Sequence, residues 1–226
     1  MNISSKKIGY LILGIFIGLD IYLYNDLHAG SSVIHPHVNN GPLVQLSNMA
    51  DDIKFNIAMK TIMRHEGGLS NNKNDPGEIT KYGISLRFLR SENLDINNDG
   101  KINSTDIIYL NLDAADKIYY KKWYQEYGYG RIVNQRILTK IMDASVNMGA
   151  SQAHKLVTRA LNTLYEKQLY VDGILDNPTV MLINHTNPDD LYKALVKQEI
   201  SFYRSIVKRN VMLKGFEKGW IARAND

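Results

Sequence analysis

The sequence predicts an almost all-α fold behind an apolar N-terminal segment, and three observations carry that prediction. Apolar residues recur at three- and four-residue intervals in most stretches from residue 51 onward, the period of a helix that buries one face. An uninterrupted apolar dozen, Ile8 to Leu19, follows Lys6 and Lys7. The 226 residues, 44% hydrophobic and 22% charged, are enough for a sizeable core in one compact unit or two small ones.

Residues 1–7 read as a basic cytoplasmic n-region and 8–24 as a transmembrane anchor or signal segment. Twelve apolar residues fit a secretory core, which needs roughly 7–15. Counted through Asp20 to Tyr24, the run reaches only the short end of the roughly 17–25 residues that span a bilayer. Leu27-His28-Ala29 is a mediocre cleavage site, which favours an uncleaved or slowly released anchor. The lysines ahead of the run place the rest of the chain outside the cytoplasm. The expectation is therefore a single-pass inner-membrane protein with its main domain in the periplasm, or a released form of it. Residues 25–50, with two prolines and no helical period, read as a linker; His35 and His37 within it take no role.

Ile53, Ile57, Ala58, Ile62 and Met63 mark a helix over 51–65, stopped by Gly67-Gly68. Glu66 falls in its last turn, at the negative end of the helix dipole, where a part-buried carboxyl is pushed toward its protonated form. That suits a general acid. The alternative is a helix end followed by an ordinary solvated loop. The loop itself is polar and carries Asp75, Glu78 and Thr80.

From Asp95 to Asp106, oxygen-bearing side chains occupy loop positions one, three, five, nine and twelve, with Gly100 at six and Ile102 at eight. This is the EF-hand spacing with Asp at the last position, and it is similar to the calcium loops of dockerin modules. It assigns Ca2+ as a structural ligand of Asp95, Asn97, Asp99, the Lys101 carbonyl, Asn103 and Asp106. The alternative is an Asn/Asp/Gly turn in which Ser104 or Thr105 caps the next helix. A helical pattern then runs from Asp106 to Tyr129 and ends in Tyr119, Tyr120, Trp123, Tyr124, Tyr127 and Tyr129. Such rings stack on sugars or pack a core; Trp123 is the first candidate for a sugar-facing ring. Helices follow over 135–149 and 152–165, then a short one near 179–184 and a long one beginning at Pro188-Asp189-Asp190 and running to about Arg209, with Asp190 near its N-terminal cap. The last two are read as packing on the preceding helices. Asn147 either meets substrate or satisfies a buried backbone group.

Three stretches carry a resemblance. Glu66-Gly67-Gly68, Asp75-Pro76-Gly77 and Thr80-Lys81-Tyr82-Gly83-Ile84 resemble the glutamate motif of glycoside hydrolase family 108, a lysozyme-like family acting on the peptidoglycan glycan strand. Asp143-Ala144-Ser145-Val146-Asn147-Met148-Gly149 resembles that family's second helix motif. Val171 to Leu175 and Lys218 to Arg223 resemble its companion, a predicted peptidoglycan-binding module. Glu78 departs from the pattern, standing where the family has a second glycine. The resemblance implies a mostly α, lysozyme-like muramidase domain at 51–168, holding the inserted calcium loop, and a helical wall-binding-like module at 169–226. It implies Glu66 as the acid, Asp75 as the second carboxylate with Glu78 in reserve, and Thr80, Trp123 and Asn147 toward the glycan.

Composition narrows the alternatives. The net charge of +4 is too small to argue for nucleic acid, and no binding motif for it appears. There is no cysteine, hence no disulfide, thiol nucleophile or thiolate metal site, and the six histidines are scattered without a His-Glu-x-x-His. The expected partners are peptidoglycan and the inner membrane, with the chain a monomer. The rival readings are a non-catalytic wall-binding or secretion-accessory protein, and a calcium-dependent scaffold.

Overall fold

The computed structural model describes residues 42–66, 70–71, 79–166 and 169–226. The segment 8–24, the linker as far as residue 41, Gly67-Gly68, Asp75 and Glu78 lie outside the described residues. Among the described residues no helix is long and apolar enough to cross a membrane.

The first helix, α1, spans Pro42–Glu66. It begins before Asp51, in the stretch expected to be linker, with proline at the first helical position, where a missing N–H costs nothing. A small antiparallel sheet follows that the helical periodicity did not announce: β1 Ser70–Asn71, β2 Ile79–Lys81 and β3 Ile84–Ser85, in that order. Thr80 pairs with Ser70 on one side and Ser85 on the other. The β2–β3 connection is two residues, Tyr82 (φ 52°) and Gly83 (φ 78°), so both sit in the left-handed region that a tight type I′ hairpin requires.

Five helices complete the first part: α2 Leu86–Ser91, α3 Ser104–Tyr109, α4 Leu112–Tyr119, α5 Gln135–Met148 and α6 Ala150–Tyr165. The helical run expected from Asp106 to Tyr129 is interrupted at Leu110. Asn111 there takes the N-terminal cap of α4, accepting from the Ala114 N–H at 2.8 Å. Beyond α4 the chain widens into a π-helical turn over Tyr120–Gln125. Gly149 (φ 87°) alone separates α5 from α6.

The C-terminal part holds α7 Asn177–His185, α8 Pro188–Arg209 and α9 Lys214–Asn225. Asn187, not Asp190, caps α8, accepting from the N–H groups of Asp189 and Asp190 at 2.9 and 3.3 Å. The dominant packing runs α1 on α5, α5 on α6, α6 on α8 and α8 on α9. Ile62, Leu89, Ile107, Leu138 and Ile141 share the larger core with Leu191 and Leu195 of α8. A second core joins Ala144, Met148 and Leu156 to Tyr203, Trp220 and Ala224.

α5 is the central helix, and its face toward α8 and α9 is polar as well as apolar. Lys140, Asp143 and Asn147, at helical spacing, are all buried. Lys140 Nζ lies 3.1 Å from Glu199 and donates to the Ala224 carbonyl at 2.5 Å. Asp143 meets Arg223, and the Asn147 amide donates to the Tyr203 hydroxyl at 2.6 Å.

Candidate active site

Glu66 is the last residue of α1 and is 2% exposed. Its floor is the β2–β3 turn: a Cβ built on Gly83 would lie 2.9 Å from Glu66 Oε2 and 2.5 Å from the Tyr119 hydroxyl. Only glycine meets both demands there, positive φ and this close approach. Tyr119 in turn donates to the Tyr82 carbonyl at 3.0 Å, fixing the turn that carries Gly83. Thr80 is buried in the middle of β2.

On its other side Glu66 meets a network that the sequence reading assigned to no role. Arg223 Nη2 donates to Glu66 Oε1 at 2.7 Å and to Asp143 Oδ1 at 2.9 Å, while its Nε donates to Asp143 Oδ2 at 3.1 Å. His65 Nδ1 lies 3.1 Å from Asp143 Oδ1 and its Nε2 lies 2.9 Å from Asp226 Oδ2. Asp143 and Arg223 lie inside stretches quoted for the family resemblance; what sequence lacked was any sign that they meet.

Burial is the largest influence on Glu66 and raises its carboxyl above the ordinary 4.5. The charge and hydrogen bond of Arg223 oppose that rise, Asp143 adds to it, and His65 opposes it. Burial also acts on Asp143, but Arg223 and His65 outweigh it and hold that carboxyl well below the usual range. Two neighbouring carboxyls are thus pushed apart, one toward the acid form and one toward the anion. That division suits acid catalysis at Glu66.

The other candidates separate. Trp123 is buried against Phe88 and Tyr119, with ring centroids 5.2 and 5.1 Å away. Asn147 is engaged with Tyr203 inside the second core. Both placements follow from packing across elements far apart in sequence. Asp75 lies outside the described residues. A cleft of about 350 Å³ is lined by His65, Gln135, Arg136, Asp143 and Tyr192, among others. Asp226 lines it too, and Glu66 is not among its lining residues.

The 95–106 loop closes as a hydrogen-bonded turn. Asp106 is buried; its Oδ1 accepts from the Ile96 and Asn97 N–H groups at 2.8 and 3.4 Å, and its Oδ2 from Asn103 N–H at 2.8 Å. Burial would raise this carboxyl, but those N–H groups outweigh it and lower it. Asn103, rather than Ser104 or Thr105, caps α3, accepting from the Thr105 N–H at 2.9 Å. Asp95 accepts from the N–H groups of Asp99 and Gly100 at 3.3 and 2.7 Å, and Asp99 from that of Lys101 at 2.9 Å. The donor types suit calcium; among the described residues no group of three or more His, Cys, Asp or Glu side chains is placed to hold a metal ion.

The glycosyl hydrolase 108 family model matches residues 59–149, and the predicted peptidoglycan domain matches 152–225. No curated protein matches the chain. Among solved structures, SagA of Brucella abortus aligns at 20% identity with a TM-score of 0.62, over 77% of this chain and 91% of that one. At that identity the likeness speaks for the fold.

Proposed function

We propose, from the premise that the chain carries a glycosyl hydrolase 108 domain followed by a predicted peptidoglycan domain, that this peptidoglycan hydrolase is a muramidase. Its bond is the β-1,4 link between N-acetylmuramic acid and N-acetylglucosamine, and Glu66 is the general acid. The observation that carries this reading is a carboxyl at a helix end, buried against Gly83 and raised above its ordinary value. Burial thus biases this carboxyl toward its proton-holding form, the form a general acid needs to deliver a proton to the leaving oxygen. Asp75 is proposed as the second carboxylate, with Glu78 in reserve, and Thr80 as a substrate contact. Glu66→Gln keeps the shape and removes the transferable proton. Release of muramic-acid ends from purified sacculi, followed by mass spectrometry, is expected to fall about 10²–10⁴-fold while helical circular dichroism is unchanged. Near-wild-type release would overturn the assignment. Asp75→Asn is expected to impair turnover more than Glu78→Gln.

Two further proposals come from the sequence. The 8–24 segment exports the chain, so a reporter fused after Asn40 is active only in its periplasmic form. Calcium binds the 95–106 loop, supported by the donor set Asp95, Asn97, Asp99, Lys101, Asn103 and Asp106; its role is structural, and calorimetry on the metal-free protein reads it. No heat at millimolar calcium refutes it.

A further inference from the structure

We propose that Arg223, which lies in the stretch matched by the predicted peptidoglycan domain, is a positioning residue of the glycosidase site: its guanidinium fork joins Glu66 to Asp143 and fixes which carboxyl oxygen of Glu66 faces the substrate. The inference rests on the muramidase reading of Glu66.

The geometry is specific to a planar fork. Nη2 serves Glu66 Oε1 and Asp143 Oδ1 together, and Nε reaches Asp143 Oδ2. A lysine supplies the charge but not the two parallel bonds. Asp143 is itself held by His65, and His65 by Asp226, so the fork has a fixed backing. Because Oε1 accepts from Arg223, the proton of the acid form belongs on Oε2, the oxygen against Gly83. Glu66 is therefore gripped on both sides, and its one donor position is set by a residue 157 positions away in sequence. Among the described residues, the charged and titratable groups facing this carboxyl are Arg223 from α9, Asp143 from α5, His65 from α1 itself and Tyr119 from α4. The Tyr119 hydroxyl is engaged with Tyr82, and its own ionisation is pushed well above the usual phenol value by burial.

The two charged partners act on Glu66 in opposite directions, and that gives the test. In the full chain, Arg223→Gln removes the cation, so the alkaline limb of the kcat profile on sacculi moves to higher pH, and kcat falls about 10²-fold through misplacement. Asp143→Asn removes the anion and leaves the fork to Glu66 alone, so the limb moves to lower pH. Arg223→Lys restores the limb toward wild type but not kcat. A residue with a merely structural role lowers the amount of folded enzyme without moving the limb in opposite senses. Limbs that stay in place, or that move the same way in both variants, overturn the proposal. If Arg223→Gln does not fold, Arg223→Lys against Asp143→Asn decides it: a Lys limb displaced to higher pH by the full range of the assay is the overturning result. If the wild type leaves sacculi intact, the muramidase reading fails and this one is still read. Titration of the Glu66 carboxyl by carbon NMR is then expected to show the same opposite displacements.

Discussion

Single residues in this protein do their work through close approach. Gly83→Ala would set a methyl against the Tyr119 hydroxyl and Glu66 Oε2, at a backbone angle that alanine resists. A loss of about 1–3 kcal/mol in denaturant unfolding is expected, with a larger loss of wall cleavage than of stability. His154 is the clearest pH probe. Nδ1 lies 2.9 Å from the Gly173 carbonyl and Nε2 lies 2.9 Å from the Tyr129 hydroxyl. Burial holds its ring down to about 4, against an ordinary 6.5, despite the pull of that carbonyl. Between those values the unfolded chain takes up a proton that the folded one refuses. Stability therefore falls as pH drops from 6.5 to 4, by at most about 1.4 kcal/mol per unit from this group. His154→Gln is expected to lose that acid slope in thermal melts. Of the residues in this network, sequence singled out Glu66, because a helix end and a glycine pair are local signals. It could not show that Arg223 meets Glu66, because that contact depends on how α9 docks.

At the scale of elements, the 95–106 loop depends on Asp106. One buried carboxylate satisfies three backbone N–H groups and starts α3. Asp106→Ala leaves those donors without it, and a cost of about 1–3 kcal/mol or more is expected in chelator, where no metal contributes. A calcium-induced rise in melting temperature would be an additional effect, abolished by Asp99→Ala. The Asp95–Asp106 spacing was legible because a tight turn and a calcium loop demand the same residues. The β2–β3 hairpin was not legible, since Tyr82-Gly83 lacks the Asn-Gly or Asp-Gly pair that usually marks such a turn. α9 was missed for a similar reason: Gly215 and Gly219 are poor helix formers. Phe216, Trp220 and Ala224, four apart, were the signal that could have found it. Pro42 was likewise read as a linker residue when it was a helix start.

For the whole molecule, the question is what holds the C-terminal helices to the rest. Apolar periodicity gave most helices of both parts, but the polar face of α5 lies where a core would be expected to be plain. Lys140→Met alone strands the buried Glu199, and a loss of about 3–5 kcal/mol is expected. Lys140→Met with Glu199→Leu recovers most of it in the same urea titration, because a well-packed apolar pair needs no partner charge. That face also couples order to chemistry. Lifting α9 away would strip Lys140 of the Ala224 carbonyl and, at the same moment, Glu66 and Asp143 of their guanidinium. Amide exchange in α9 is thus a clock for that fork: each opening event that lets deuterium into the helix is also an interval in which Glu66 has lost its guanidinium partner.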